Sequence, residues 1–147
     1  MKTFHRIIVA TDFTAASNPA FREAVQMAQG NGAELIIVHA YPPPNMAQAE
    51  GVAPGVYEEW DRNMRAGAET KLNRLVDDAT KAGANARALA LSGAPDEVIV
   101  ESAKRNRADL LIMGTHGRKG VSRFFVGSVA SRVVSTAPCP VMTVRAA

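Results

Sequence analysis

The chain has little that would cross-link it or hold it in a membrane. Its only cysteine, Cys139, lies between two prolines in "APCPV", so a disulfide within the chain is excluded and a buried or half-buried structural thiol is expected. Long apolar runs are missing too. "IIVA" at 7–10 and "LLIM" at 110–113 fall far short of the roughly 20 residues that span a bilayer. Near Met1 there is no apolar core of the signal-peptide kind, which makes the cytoplasm the default expectation. The third absence is local. From Leu110 onward there is no Asp or Glu, while Arg118, Lys119, Arg123, Arg132 and Arg145 supply five positive charges. The total of +3 therefore leaves −2 for residues 1–109, and the last quarter of the chain wants an anion, a nucleic acid or a solvated basic face.

What is present fits one soluble domain over residues 1–147, with 47% hydrophobic and 21% charged residues, enough for one filled core. Short β-branched or aliphatic runs alternate with longer helical patterns. Strands are expected at 6–10, 34–40, 86–91, 109–113 and 141–144, and helices at 18–29, 56–82, 95–106 and 128–136. Asn18 is a candidate N-cap with Pro19 behind it, Gly30 and Gly32 bracket the stop of that helix, and Gly67 interrupts the long helix where a kink is possible. Residues 41–55, rich in Pro, Gly and Ala, read as a surface connection, with a lid or partner-binding loop as the alternative. Five strands alternating with four helices give a doubly wound α/β sheet, whose ligands sit outside the carboxyl ends of the strands at a switch in strand order.

Three stretches fall at those ends: "TDF" after the first strand, "HAY" after the second, and "MGTHGRKGVSRFFVGSVASRVV" after the fourth. In the last, Gly114, Gly117 and Gly127 follow a buried strand and lead into a helix beginning Ser128, Val129, Ala130. Glycines permit positive φ and close backbone approach, and a helix N-terminus offers unpaired amides, so phosphate is the natural guest. One helix end contributes about 0.3–2 kcal/mol, whereas micromolar binding needs about 8 kcal/mol. The Ser128 hydroxyl, Arg118, Lys119 or Arg123 and an apolar slot for a base must supply the rest. Neither G-x-x-x-x-G-K-[ST] nor a strand-end G-x-G-x-x-G nor G-x-S-x-G occurs. What occurs is G-x2-G-x9-G-[ST]: "GTHG", nine residues, then "GS".

With that spacing, "LLIMG" before it, "IIVATDF" near the start and "STAPCPVMTVR" near the end, the whole chain resembles the universal stress protein family, in the branch whose members bind ATP. The resemblance implies a five-stranded parallel sheet in the order 3-2-1-4-5, an adenine nucleotide alpha hydrolase-like arrangement, an adenine nucleotide across the carboxyl edge with Mg²⁺ carried by the phosphates, and a homodimer paired through the last strand, Val141–Val144. Carried over by position, Asp12 would meet the ribose or the metal-bound phosphates, Ala10 and Thr11 the base or sugar, and Ala40 the adenine through its backbone. Met113 and Gly114 would flank the nucleoside, Gly117 and Gly127 the phosphates, with Ser128, Val129 and Ala130 at the helix start. Some relatives carry a hydroxyl where Ala130 stands, so one phosphate contact is expected to be absent.

Each of these residues also has a plainer reading. Asp12 could simply cap a turn, Lys119 and Arg123 could form a solvated rim, His116 could be a solvated loop residue rather than an acid or base, and His39 could be a strand-end histidine. Three function classes follow: a nucleotide-binding regulatory module with little or no hydrolysis, a weak ATPase or phosphotransferase, and a nucleic-acid-binding basic module. The second needs a positioned base and added positive charge in the transition state. The third ranks last because Phe124 and Phe125 are the only aromatics in the basic segment. No metal-ligand spacing is visible in the sequence.

Overall fold

The computed structural model describes residues 3–44, 51–115 and 127–146. Strand β1 (Arg6–Ala10) is followed by a 3-10 turn (Ala15–Ser17) and helix α1 (Asn18–Asn31). Then come β2 (Glu34–Tyr41), α2 (Val56–Lys81), β3 (Asn85–Ser92), α3 (Pro95–Arg105), β4 (Leu110–Gly114), α4 (Ser128–Thr136) and β5 (Val141–Val144). The five strands form one parallel sheet in the order β3-β2-β1-β4-β5. Strand order reverses between β1 and β4, which is the switch point.

The central strands are apolar along their whole length because both faces are covered. Ile7, Ile8, Val9, Leu35, Ile36, Ile37, Leu111 and Ile112 are fully buried. Their alternation divides them between two layers. Ile7, Val9, Leu35, Ile37 and Ile112 pack with Ala20, Ala24 and Ala28 of α1 and Leu72 and Ala79 of α2. Ile8, Ile36, Val38, Leu111 and Met113 pack with Val98, Ile99 and Ala103 of α3 and Ala130 and Val133 of α4. Full burial of each such side chain stabilises the fold by about 1.5–3 kcal/mol. Cys139 is half-buried against the second layer, the structural position expected of it.

Helix boundaries follow local chemistry, with one departure from expectation. Gly32 closes α1 at φ 63°, in the left-handed region that glycine favours. Pro95, Asp96 and Glu97 open α3 and Lys104 and Arg105 close it, each charge suited to the helix dipole. Asn18, however, is not the N-cap of α1. Its amide donates back to Ala15 O within the 3-10 turn, and Ser17 takes the cap position. A chain of hydroxyls builds that turn: Ser17 Oγ donates to Thr14 O (2.8 Å), and Thr11 Oγ1 lies 3.1 Å from Ser17 Oγ.

The two sheet edges differ. Edge strand β3 carries Arg87, paired with Glu34 at 2.6 Å and bonded to Asn106 at 2.8 Å. Edge strand β5, "VMTV", has no charge, and Val141, Met142 and Val144 are only half-buried. Among the described residues no helix is long and apolar enough to cross a membrane.

Candidate functional site

The carboxyl ends of β1, β2 and β4 open into one cavity of about 1020 Å³, which the N-terminus of α4 and one side of α2 also line. It straddles the sheet edge from the α1/α2 layer, through Phe13 and Gly67, to the α3/α4 layer, through Ile99 and Ala130. Of the residues singled out in the sequence, Ala10, Thr11, Asp12, Ala40, Met113, Gly114, Gly127, Ser128, Val129 and Ala130 all line this cavity. Gly117 and Arg118, together with His116, Lys119 and Arg123, lie outside the described residues, as does part of the 41–55 connection.

The loop after β1 is held from within. The Phe13 amide donates to Thr11 Oγ1 (3.0 Å), and both the amide and hydroxyl of Thr14 donate to Asp12 Oδ1 (3.0 and 2.5 Å). Because the Ser17 proton goes to Thr14 O, the proton between Thr11 and Ser17 comes from Thr11. The Thr11 hydroxyl is therefore fully engaged, and its share in any ligand contact falls to its backbone and methyl. Asp12 has the turn-capping role foreseen for it, and it also lines the cavity. Oδ1 caps the turn, and Oδ2 has no hydrogen-bond partner among the described residues.

Phe13 has φ 65°, a conformation that costs a bulky residue about 1–3 kcal/mol. Two contacts hold it there. Its ring lies 4.1 Å from the His39 ring, and Lys71 Nζ sits 5.2 Å from its centroid. His39 Nδ1 is 2.8 Å from Thr11 O, so the strand-end histidine ties β2 to the β1 loop. Tyr41, at the end of β2, is buried and binds α2: its hydroxyl donates to Asp61 (2.7 Å) and accepts from Arg65 (3.3 Å), which pairs with Asp61 at 3.3 Å. Burial, foremost, holds the Tyr41 phenol above its ordinary pKa of 10.0, with Arg65 opposing and Asp61 reinforcing the shift.

On the other side, Gly127 precedes α4 with φ −61°, ψ 159°, and donates its amide to Thr115 O. Positive φ is thus not what requires glycine here, and Gly114 is ordinary strand in register with Val144. The absent side chain matters for another reason. Gly127 has no side chain with which to cap α4, and the first residues of that helix line the cavity with amides that the cap residue leaves unpaired. Arg132 on α4 reaches Asp96 of α3 at 3.9 Å, which takes up one of the five basic residues of the C-terminal segment.

Helix α2 supplies a wall that the periodicity did not assign to the site. Met64, Gly67, Ala68 and Lys71 line the cavity, while Leu72 and Ala79 continue the same stripe into the core. Helix α2 runs unbroken through Gly67, so the interruption is not a helix end. A glycine there costs about 1 kcal/mol relative to alanine. The sequence signal was that cost. The donor set suits a metal that arrives with its ligand. Among the described residues no group of three or more His, Cys, Asp or Glu could hold an ion, and Asp12 is the one carboxylate of those residues that lines the cavity.

Residues 3–145 match the universal stress protein family. A universal stress protein of Thermus aquaticus is 34% identical over 151 residues, covering 97% of this chain and 99% of the relative. Among solved structures, the universal stress protein UspA of Lactobacillus plantarum superposes with a TM-score of 0.82 at 27% identity, covering 99% of this chain and 100% of that one. A universal stress protein crystallised in complex with cAMP superposes with a TM-score of 0.72, also at 27% identity, over 99% of this chain and 100% of that one. With matching sequence over nearly its full length and the same fold, this chain belongs to the universal stress protein family.

Proposed function

We propose that this protein is a regulatory module that holds an adenine nucleotide, ATP with Mg²⁺, at the carboxyl edge of its sheet and turns it over little or not at all. The observation that carries this reading is the convergence of ten separately identified residues, from β1, β2, β4 and α4, on one cavity. Ala10, Val38, Ala40 and Met113 offer apolar surface for a base, Asp12 Oδ2 is placed for a ribose hydroxyl or a phosphate-bound ion, and the α4 amides suit phosphates. Mg²⁺ would be held by the phosphates with Asp12 and would keep several waters, its charge neutralising the phosphate tail. The relative crystallised with cAMP supports the adenine nucleotide class.

Holding rather than hydrolysis is favoured by what the proton-bearing groups already do. Asp12 uses one oxygen on Thr14, and His39 donates from Nδ1 to Thr11 O. Among the described residues these bonds commit His39 Nδ1 and Asp12 Oδ1 to the loop, and Asp12 Oδ2 is left to the ligand or its ion. The same reading includes a C2 homodimer through Val141–Val144, since an uncharged, half-exposed edge strand is an aggregation hazard unless paired.

Calorimetric titration of nucleotide-stripped protein with ATP, AMP and GTP in Mg²⁺, followed by a phosphate-release assay on the same sample, tests the proposal. Binding of ATP in preference to GTP with negligible release is the expected result. Rapid release would replace the regulatory reading with an ATPase, and no uptake of any adenine nucleotide would leave the fold without this ligand.

A further inference from the structure

The outer edge of the sheet has an opening of its own. Helix α3 crosses from β3 to β4 and packs on β2 and α4, so β3 is covered by α2 on one face and left largely open on the other. On that open face a groove of about 270 Å³ lies between the end of β3 and α3. Leu91, 38% exposed, and Val98 of α3 give it apolar walls. Ser102 also lines it and is only 3% exposed, yet its hydroxyl has no hydrogen-bond partner among the described residues. Buried hydroxyls are nearly always paired, so this one calls for a group from outside the chain. On the rim, Glu101 pairs with Arg105 at 2.9 Å, which leaves Glu97 as a carboxylate without a cationic partner among the described residues.

The strand beside this groove is a free edge, since β3 pairs only with β2. The Gly93 amide donates to Tyr41 O of β2, so by alternation the backbone groups of Ala88, Ala90 and Ser92 point away from the sheet. Arg87 guards the amino half of this edge, but residues 88–92 carry no charge, proline or bulge. We infer that β3 and the groove bind an extended basic segment of a partner protein, which adds a strand to the sheet and sets a lysine or arginine side chain against α3. The stem of such a side chain suits Leu91 and Val98, and its N–H groups find acceptors in Ser102 Oγ and the Glu97 carboxylate. An acidic segment would meet Glu97 with like charge, and an apolar one would leave Ser102 Oγ unpaired. The groove shares no lining residue with the cavity at the carboxyl edge, so the inference does not rest on the nucleotide reading. It is also compatible with the proposed homodimer, because β5 and β3 lie at opposite edges of the sheet.

Two end-capped peptides matched to the 8 residues of β3, one alternating valine with lysine and the other valine with glutamate, test this by amide NMR titration of the whole protein. Such a strand buries less surface than a stable complex, so micromolar to millimolar binding is expected. The lysine peptide should shift the amides of Ala88, Ala90 and Ser92 and bind about tenfold or more tightly than the glutamate peptide. Glu97→Lys, a change on the exposed side of α3, should erase that preference. Ser102→Ala removes the unpaired hydroxyl and improves helix propensity, so it should raise the Tm of the free protein by about 2–4 °C while weakening the lysine peptide about two- to tenfold. Ala90→Pro, which takes away an outward amide, should abolish binding, and the two α3 variants carry the test if that protein fails to fold. Absence of shifts along β3 at millimolar lysine peptide, equal affinity for the two peptides, or undiminished binding by Ser102→Ala would each overturn the inference. Shifts of the same amides with rising protein concentration alone would give the edge to a second copy and overturn it as well.

Discussion

His39 Nδ1 lies 2.8 Å from the main-chain oxygen of Thr11, and since a carbonyl oxygen only accepts, that ring nitrogen carries a proton. The bond joins the carboxyl ends of two neighbouring strands just where the loop leaves β1 towards Asp12 and the strained Phe13. His39→Leu removes both this donor and the ring stacked on Phe13. It should destabilise the protein by about 1–3 kcal/mol, the cost of a part-buried acceptor left unpaired, and lower ATP affinity through the loosened Asp12 turn. His39→Gln, whose amide can donate, should recover part of the loss. Urea unfolding and calorimetry on the two variants measure both effects, and equal stability of wild type and His39→Leu would contradict this role.

At the opposite wall the effects of substitution on folding and on binding should run in different directions. Ser128→Glu places a carboxylate in the first turn of α4, where it favours the helix by about 0.3–1 kcal/mol but repels phosphate. Gly127→Val is compatible with the backbone, whose φ is −61°, yet puts a branched side chain where the ligand must approach. Both variants should abolish ATP binding with the far-UV circular dichroism unchanged. Ser128→Ala should cost about ten- to hundredfold in affinity, corresponding to about 1.5–3 kcal/mol for one hydrogen bond to a charged group. Undiminished binding in Gly127→Val and Ser128→Glu would remove the phosphate site from α4.

These sites were legible to unequal degrees for physical reasons. The buried strands announce themselves, because a parallel strand covered on both faces is apolar throughout, and "ELIIVHA" can hardly be anything else. Gly127 and Ser128 were legible because glycine spacing after such a strand is a local signal. Tyr41 was not, since its partners Asp61 and Arg65 lie twenty or more residues away and pair with it only once α2 has crossed the end of β2. Asn18 misled because a good capping side chain counts for little when Thr11, Thr14 and Ser17 already build a 3-10 turn in front of the helix. Gly67 was visible as an oddity, but only the cavity beside it gives the oddity a direction.

Edge pairing gives a prediction that depends on strand parity. Leu111 donates to Pro140 O and Thr115 to Val144 O, so Met142 and Val144 turn their backbone groups towards β4, and Val141 and Thr143 turn theirs outward. If the chain pairs through this edge as proposed, Thr143→Pro should abolish that homodimer while leaving β5 in its own sheet. Met142→Pro should instead break the β4 pairing and lower Tm by several degrees. Light scattering together with thermal melts distinguishes the two variants. A Thr143→Pro protein that is still dimeric, or a wild-type protein that is monomeric, would refute pairing through this edge.

Alkaline pH should reveal the link between β2 and α2. The Tyr41 phenol is held above its ordinary pKa of 10.0, chiefly by burial, so the folded state keeps its proton at a pH where the unfolded chain begins to lose it. Stability from this group is then fully present below about pH 10, the unfolded value, and is lost as pH rises through the folded value. Tyr41→Phe lacks the titration and the hydrogen bond to Asp61, while Asp61 and Arg65 remain partly exposed to water and paired with each other. It should be less stable than wild type by about 0.5–1.5 kcal/mol at pH 8, and the gap should narrow steadily above pH 10. Urea midpoints for the two proteins across that range test the sign directly, because a gap that widened with pH would mean that the folded protein favours the phenolate.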